Sequence, residues 1–202
     1  TSLTYQRLAA HSSNGWKVRT CPASPRFLMP DFTIRAATDA DRSVIAAIHA
    51  ASWQEQYRDV LPSDFLDREI EGAMERHWQD QPFGEGDVVL MAEREGEAIG
   101  FAATWCNDFV YIDNLHVRSG QRSGGVGRAL LAETARRLMT QGHSAADLHV
   151  VTSNDRARKL YGALGGESAG FENKPLLGHD VPHERIRWAD LTLLSAFASD
   201  QT

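Results

Sequence analysis

Two cysteines, Cys21 and Cys106, are all that 202 residues contain, and no Cys-x-x-Cys joins them. A disulfide framework and a thiolate zinc site are therefore excluded as organising features. No apolar run approaches the ~18 residues of a membrane-spanning helix. No apolar targeting segment precedes a small-residue cleavage site either. Internal repeats and low-complexity tracts are missing too. Basic residues fall short of acidic ones, 21 against 27, which disfavours a nucleic-acid partner. With 42% apolar residues the chain can fill a core. A single soluble, cytoplasmic α/β domain is the expectation.

What is present concentrates between Tyr111 and Tyr161. Phe109 to Val117 is aromatic and β-branched, and so strand-like. Strict alternation would place Tyr111, Asp113, Leu115 and Val117 on one face and Ile112, Asn114 and His116 on the other. From Val126 to Gln141, the residues Val126, Leu130, Leu131, Ala135, Leu138 and Met139 recur at helical spacing, and Gly142 can stop the helix. Between the two lies Arg122-Ser123-Gly124-Gly125-Val126-Gly127. Strand, glycine loop and helix start, in that order, make an anion site, because free N–H groups and the positive end of the helix dipole converge there. Glycine lets the backbone approach a phosphate where a Cβ would clash.

Two common phosphate loops do not fit. A Walker A loop needs Gly-Lys-Ser/Thr, and Gly127-Arg128-Ala129 supplies neither the lysine nor the hydroxyl. A dinucleotide fingerprint needs a third glycine where Leu130 stands. What remains, Arg-x-x-Gly-x-Gly, resembles the acyl-CoA pyrophosphate loop of the GNAT N-acetyltransferase superfamily. The second half-motif of that family is also matched. Asp147 to Val151 reads as a short buried strand, followed by Asn154, Ala157 and Tyr161 on a helix capped by Ser153 or Asn154 and stopped by Gly165. Two departures stand out: Ser119 replaces a common Pro, and Gly166 replaces an aromatic packing residue.

The resemblance implies a mixed, mostly antiparallel α/β sheet of six to seven strands, splayed at its central strand and flanked by about four helices. Acetyl-CoA is the implied cosubstrate, with no metal. The backbone of Leu115, His116 and Val117 would hold the pantetheine. Arg122, Ser123, Gly124, Gly125, Val126, Gly127 and Arg128 would cradle the pyrophosphate, and Asn154 would bond the pantetheine arm. Tyr161 matches the family's general acid, although a core tyrosine is the plain alternative. Asp113 is the candidate base, with a turn-supporting aspartate equally open. Polar Asp113 and Asn114 within a buried strand fit the family's bulge there. From Arg118 to Lys159 there are eight basic residues against three acidic ones, which suits the phosphates of CoA. The acidic remainder suits a small, cationic amine acceptor. A protein amine acceptor and a non-catalytic acyl-CoA module are the alternatives, and a homodimer is compatible with the sequence.

In chain order, residues 1–30 read as an extension, with Met29 as a candidate start, 31–194 as the acetyltransferase domain and 195–202 as a tail. Phe32 to Ala36 is the first expected strand. Thr38 and Asp41 form a capping-box-like start to a helix bearing Val44, Ile45, Ile48 and Ser52 on one face. The run from Ser52 to Pro62 resembles one that walls the acceptor pocket in one branch of the family, which assigns Trp53 and Tyr57 to substrate binding; Tyr111 is a further substrate-binding candidate. Packing alone would also explain Trp53 and Tyr57. A second helix runs through Phe65, Leu66, Ile70, Met74 and Trp78. A hairpin turns at Arg94 to Glu97. Glu167–Phe171 and Glu184–Leu191 are the last strands, joined by a loop over 173–183.

Other constellations are weaker. Gly166-Glu167-Ser168-Ala169-Gly170 matches Gly-x-Ser-x-Gly, with Asp180 and His183 following in hydrolase order, but a helix precedes the motif and none follows. His179 and His183 are four apart, yet Pro182 argues against a shared helix face and no third ligand is evident.

Overall fold

A computed structural model describes residues 31–122, 124–176 and 178–196. The expected extension 1–30, Ser123 and residues 197–202 lie outside the described residues. Seven strands form one sheet: β1 (Thr33–Ala36), β2 (Val88–Arg94), β3 (Glu97–Cys106), β4 (Val110–Val117), β5 (Ala146–Val151), β6 (Glu167–Leu176) and β7 (His179–Trp188). Their order is β1-β2-β3-β4-β5-β7-β6. The pair β4·β5 is parallel and every other pair antiparallel. Six helices flank it among the described residues: α1 (Arg42–Gln56), α2 (Ser63–Arg68), α3 (Ile70–Asp80), α4 (Val126–Thr140), α5 (Asp155–Ala163) and α6 (Leu191–Ala196).

Strand alternation divides the core in two. On one face Leu90, Ala102, Ile112, Leu148 and Ile186 pack against Leu130, Leu131 and Leu138 of α4 and Leu191 and Leu194 of α6. On the other, Met91, Phe101 and Ala103 pack against Ile45 and Ile48 of α1 and Ile70, Met74 and Trp78 of α3. The expected capping box opens a short 3-10 turn, Asp39–Asp41, that leads into α1: the Thr38 N–H donates to Asp41 Oδ2 at 2.7 Å, and Arg35 clamps the same carboxylate. The hairpin between β2 and β3 turns on Glu95 and Gly96, both at positive φ (53° and 82°), as a two-residue primed turn requires.

The central strand departs from simple alternation. Ala103 pairs with Asn114 but Thr104 pairs with Ile112, so Asp113 is an extra residue in β4. The bulge reverses the parity of everything beyond it. Val110 and Ile112 therefore share the α4 face with Leu115 and Val117, whereas His116 stacks on Phe101 on the α1 face. The expected grouping of Tyr111 with Leu115 and Val117 is corrected accordingly. Just past the bulge the sheet opens, for β4 and β5 share the single paired position Tyr111 with Asp147.

Three other expectations change. The second helix is two, α2 and α3, separated at Glu69. The loop over 173–183 is instead the continuation of β6 and β7 into a long hairpin, with Asn173 opposite Pro182 and Pro175 opposite Asp180. The last strand ends at Trp188, and Leu191 opens α6, which crosses the expected 194/195 boundary. Gly166 proves not to be a lost packing position. A Cβ there would lie 2.6 Å from Ile186 Cγ2 and 2.9 Å from Trp188, so the aromatic is supplied from β7.

Candidate active site

Where β4 and β5 part, a cavity of about 790 Å³ opens. Its floor at one end is the start of α4. Gly125 is the N-cap at φ 75°, a left-handed conformation that costs any other residue dearly. The N–H groups of the first helical turn that follows have no partner within the helix. Gly127 is different. A Cβ there would meet Leu160, Val117 and Leu115 only at 3.7–4.0 Å, ordinary contact. Nothing in the protein's own packing forbids a side chain at Gly127, so the bare backbone serves whatever approaches from the cavity. A diphosphate fits this cradle.

The arginines around the cradle divide their work. Arg122 lines the cavity, but its Nε donates to the Val117 carbonyl at 3.0 Å and its guanidinium pairs with Glu55. It braces the loop against β4 and α1. Arg156 donates to the Arg122 carbonyl at 2.9 Å. Arg128 lines the cavity and is exposed. Gly124 is exposed beside the guanidinium of Arg94. Val126 points into the core. Beyond the shared position at Tyr111, the β4 edge carrying Leu115, His116 and Val117 has no strand partner on the β5 side among the described residues. Extended backbone with no strand beside it is what an amide-bearing arm can zip against.

Asn154 caps α5 by accepting from the Ala157 N–H at 3.1 Å, while its amide donates to Gln56 at 3.2 Å. That spacing carries Tyr161 two turns on to the cavity wall, buried and edge-on to Trp188. Burial, then the neighbouring Tyr111 and Tyr57, pushes its phenol well above the ordinary tyrosine value, so it holds its proton at any physiological pH. Both plain and functional readings of Tyr161 therefore describe the same side chain.

The other wall is aromatic. Trp53 and Tyr57 lie 4.9 Å apart at the end of α1 and line the cavity, and Trp53 also packs against the α1-side core. Tyr111 faces them from β4, its phenol pushed up to about 12, mainly by burial and then by Asp113. Asp113 lines the cavity from the bulge and is exposed. Its Oδ2 accepts from Trp105 Nε1 at 3.0 Å and from Asn114 Nδ2 at 2.8 Å, so it also fixes the bulge.

Sequence reasoning passed over the rings of His49 and His149 and named His116 only for its backbone. His116 turns its ring to the α1 face, 4.6 Å from that of His49, with Nδ1 2.8 Å from Ser52 Oγ. Burial and then Arg122 hold His116 down to about 4; burial, His116 and His77 hold His49 down to about 2. His149 lines the cavity from β5, and Lys174 and His183 line it from the last hairpin. A polar residue inside an apolar strand such as Leu148-His149-Val150 was the available signal. His179 is exposed and apart from this group. Among the described residues, no group of three or more metal-ligating side chains is assembled.

The architecture and the split sheet match a known family. Residues 46–165 match the family model described as acetyltransferase (GNAT) family. The chain belongs to the GNAT acetyltransferase family. Membership makes it an acetyl-CoA-dependent acetyltransferase. Among related sequences, an uncharacterised N-acetyltransferase of Bacillus subtilis, YuaI, is 27% identical over 171 residues, covering 80% of this chain and 95% of that one. A mycothiol acetyltransferase of Streptomyces avermitilis is 32% identical over 144 residues, covering 68% of this chain and 44% of that protein. Among solved structures, a GCN5-related N-acetyltransferase from Rhodopseudomonas palustris superposes with a TM-score of 0.65 at 19% identity, covering 79% of this chain and 96% of that chain. The acetyltransferase YncA of Salmonella typhimurium, solved with acetyl-CoA, gives 0.58 at 20% identity, with 79% and 94% covered. These likenesses carry the GNAT fold.

Proposed function

We propose that this GNAT enzyme moves the acetyl group of acetyl-CoA onto the primary amine of a small acceptor by direct attack in a ternary complex. One observation carries the reading: a single cavity runs from the glycine cradle at α4, past the unpaired edge of β4 and Tyr161, to the aromatic wall of Trp53, Tyr57 and Tyr111. Cosubstrate and acceptor thus have separate ends and a common middle.

Bound acetyl-CoA would supply the activated acyl group. The α4 amides from Gly125 to Arg128 would hold its pyrophosphate, and the β4 edge at Leu115 to Val117 its pantetheine, with Asn154 donating from across the split. An N–H of that edge would polarise the thioester carbonyl. Tyr161, protonated at neutral pH, would hydrogen-bond the departing sulfur and deliver its proton as the C–S bond breaks. The aromatic wall would favour an alkylammonium by cation–π attraction, with Asp113 as the nearby carboxylate. Asp113 is also one candidate for taking the amine's proton. A cytoplasmic setting belongs to this reading.

Calorimetry with acetyl-CoA and thiol release over a panel of small amines, lysine peptides and amino-terminal peptides test the reading together. Tight binding with turnover on small amines is expected, and Tyr161→Phe should lower kcat by about 10²-fold with acetyl-CoA affinity retained. No heat with acetyl-CoA, or turnover restricted to peptides, would overturn it.

A further inference from the structure

His149 sits two residues beyond Asp147, whose pairing with Tyr111 is the one place where the parted strands still meet. Three groups converge on its ring. Lys174 Nζ lies 2.9 Å from Nδ1, and the Tyr111 hydroxyl 3.1 Å from the same nitrogen. Glu172 Oε1 lies 2.5 Å from Nε2. A lysine ammonium has only donors, so Nδ1 must be the unprotonated nitrogen and the proton of the neutral ring must sit on Nε2. Nε2 is buried and lies close to Glu172 without an aligned hydrogen bond.

From these contacts we propose that His149, oriented by Glu172, is the base that takes the proton from the acceptor's ammonium, a role that rests on the transferase reading above. Lys174 supplies the argument from chemistry. Its side chain is itself a primary alkylammonium inside the cavity, donating to Nδ1 and lying 5.4 Å from the centre of the Tyr111 ring. The same lone pair and the same aromatic face therefore already receive a group of the acceptor's class. When an acceptor takes that place, Lys174 can turn to Glu172, 3.9 Å away. Asp113 is the rival base: two N–H donors hold its Oδ2 to the bulge, and Oδ1 remains to accept.

The step balances as a simple proton transfer followed by acyl transfer. Nδ1 takes one proton from R–NH3+, and the freed lone pair forms the C–N bond to the thioester carbon. The C–S bond breaks, and the sulfur takes the Tyr161 proton. As product leaves, the imidazolium gives the Nδ1 proton up to water, which restores the neutral ring with its proton on Nε2 beside Glu172. Tyr161 recovers a proton from the amide nitrogen, which still carries one in excess, directly or through water.

The charged and titratable groups around His149 fix the sign of a pH test. Tyr111 faces it from β4, Glu172 and Lys174 from β6, and His183 and Arg185 from β7; Arg185 is tied to Asp147 on the same strand as His149. Burial and Lys174 lower the imidazole's basicity, and Glu172 opposes them. Activity requires the neutral ring, so it rises with pH through the His149 titration. Removing the cation with Lys174→Met should move the acid limb of kcat/KM to higher pH. Removing the anion with Glu172→Gln should move it to lower pH.

The experiment is thiol release from acetyl-CoA with the best amine of the panel, followed across pH for the wild type, His149→Gln, Lys174→Met, Glu172→Gln and Asp113→Asn. His149→Gln should lower kcat about 100-fold and abolish the acid limb, with acetyl-CoA affinity by calorimetry unchanged. The limbs of the other two hairpin variants should move in opposite directions. Glu172 and Lys174 are exposed enough that these variants report even if His149→Gln folds poorly. An acid limb that disappears in Asp113→Asn and stays put in the hairpin variants overturns the assignment and leaves the transferase reading standing. Absence of acetyl-CoA binding, or of turnover on every amine, overturns both.

Discussion

Gly125 and Gly127 lie two residues apart and are glycine for different reasons. Gly125 is required by its own backbone, at φ 75°. Gly127 lies in the first turn of α4 with ordinary room for a methyl group. Substitution should therefore separate folding from binding. Gly125→Ala should cost about 1–2 kcal/mol of stability through left-handed strain. Gly127→Ala should leave stability unchanged or raise it by up to about 1 kcal/mol, because alanine is the better helix former. The same change places a methyl group where the diphosphate approaches, and acetyl-CoA should bind about tenfold or more weakly. Denaturant midpoints and calorimetry on the two variants check both halves. Equal affinity in Gly127→Ala and wild type would mean that the cradle is not where the phosphates lie.

At the scale of elements, the most specific test concerns α6, the helix the sequence did not announce. Leu191 and Leu194 are fully buried against α4. Leu194→Ala should cost about 2–5 kcal/mol, the range for emptying a leucine site in a packed core, and a urea midpoint reads it directly. A six-residue amphipathic stretch offers too few turns for a period to show, which is why the helix was not legible. The longer elements were legible: α4 from its apolar spacing, α5 from its Asn154 cap and Gly165 stop, the β2–β3 hairpin from Glu95-Gly96. Pro175 and Pro182 misled in the opposite sense, since prolines suggest a loop. Pro175 is on the edge strand β6, where a missing N–H costs little. Pro182 lies beyond the last β5–β7 pair, Val151 with His183, and only its carbonyl is used, accepting from Thr152 at 3.0 Å. The bulge at Asp113 was visible as misplaced polarity, but its effect on parity depends on the register with β3, which the sequence of β4 alone does not carry. The family resemblance pointed to the glycine loop and Tyr161, both of which line the cavity, whereas the ring of His149 gains its meaning only from residues of β4 and β6 brought to it by the fold.

Over the whole molecule, the buried histidines couple the cavity to the stability of the fold. His49 is 6% exposed, and its Nδ1 accepts from Trp78 Nε1 at 3.1 Å, so it is neutral with its proton on the other nitrogen. Its folded-state pKa is lowered from 6.5 to about 2, and that of half-buried His116 from 6.5 to about 4. An unfolded chain binds protons at both rings as pH falls below 6.5, whereas the folded chain does so only near these lower values. Stability is therefore highest above the unfolded value and declines as pH drops from 6.5 towards about 4 for His116 and about 2 for His49. The limiting slope is about 1.4 kcal/mol per pH unit for each ring, with His49 the larger contributor because it is the more deeply buried. The Arg35–Asp41 clamp acts in a lower window. Arg35 holds the Asp41 carboxyl at about 2, so its contribution is intact above 3.8 and is lost only as pH falls from there. Loss of stability between pH 6.5 and about 4.5 thus belongs to the histidines, with His149, also lowered by burial, adding to these two. Urea midpoints measured through that window should fall steadily in the wild type. In His49→Gln, which keeps an acceptor for Trp78 without a titrating ring, the decline should be shallower. A wild-type midpoint that holds level through the window would mean that water reaches these rings and that the α1 side of the cavity is open to solvent.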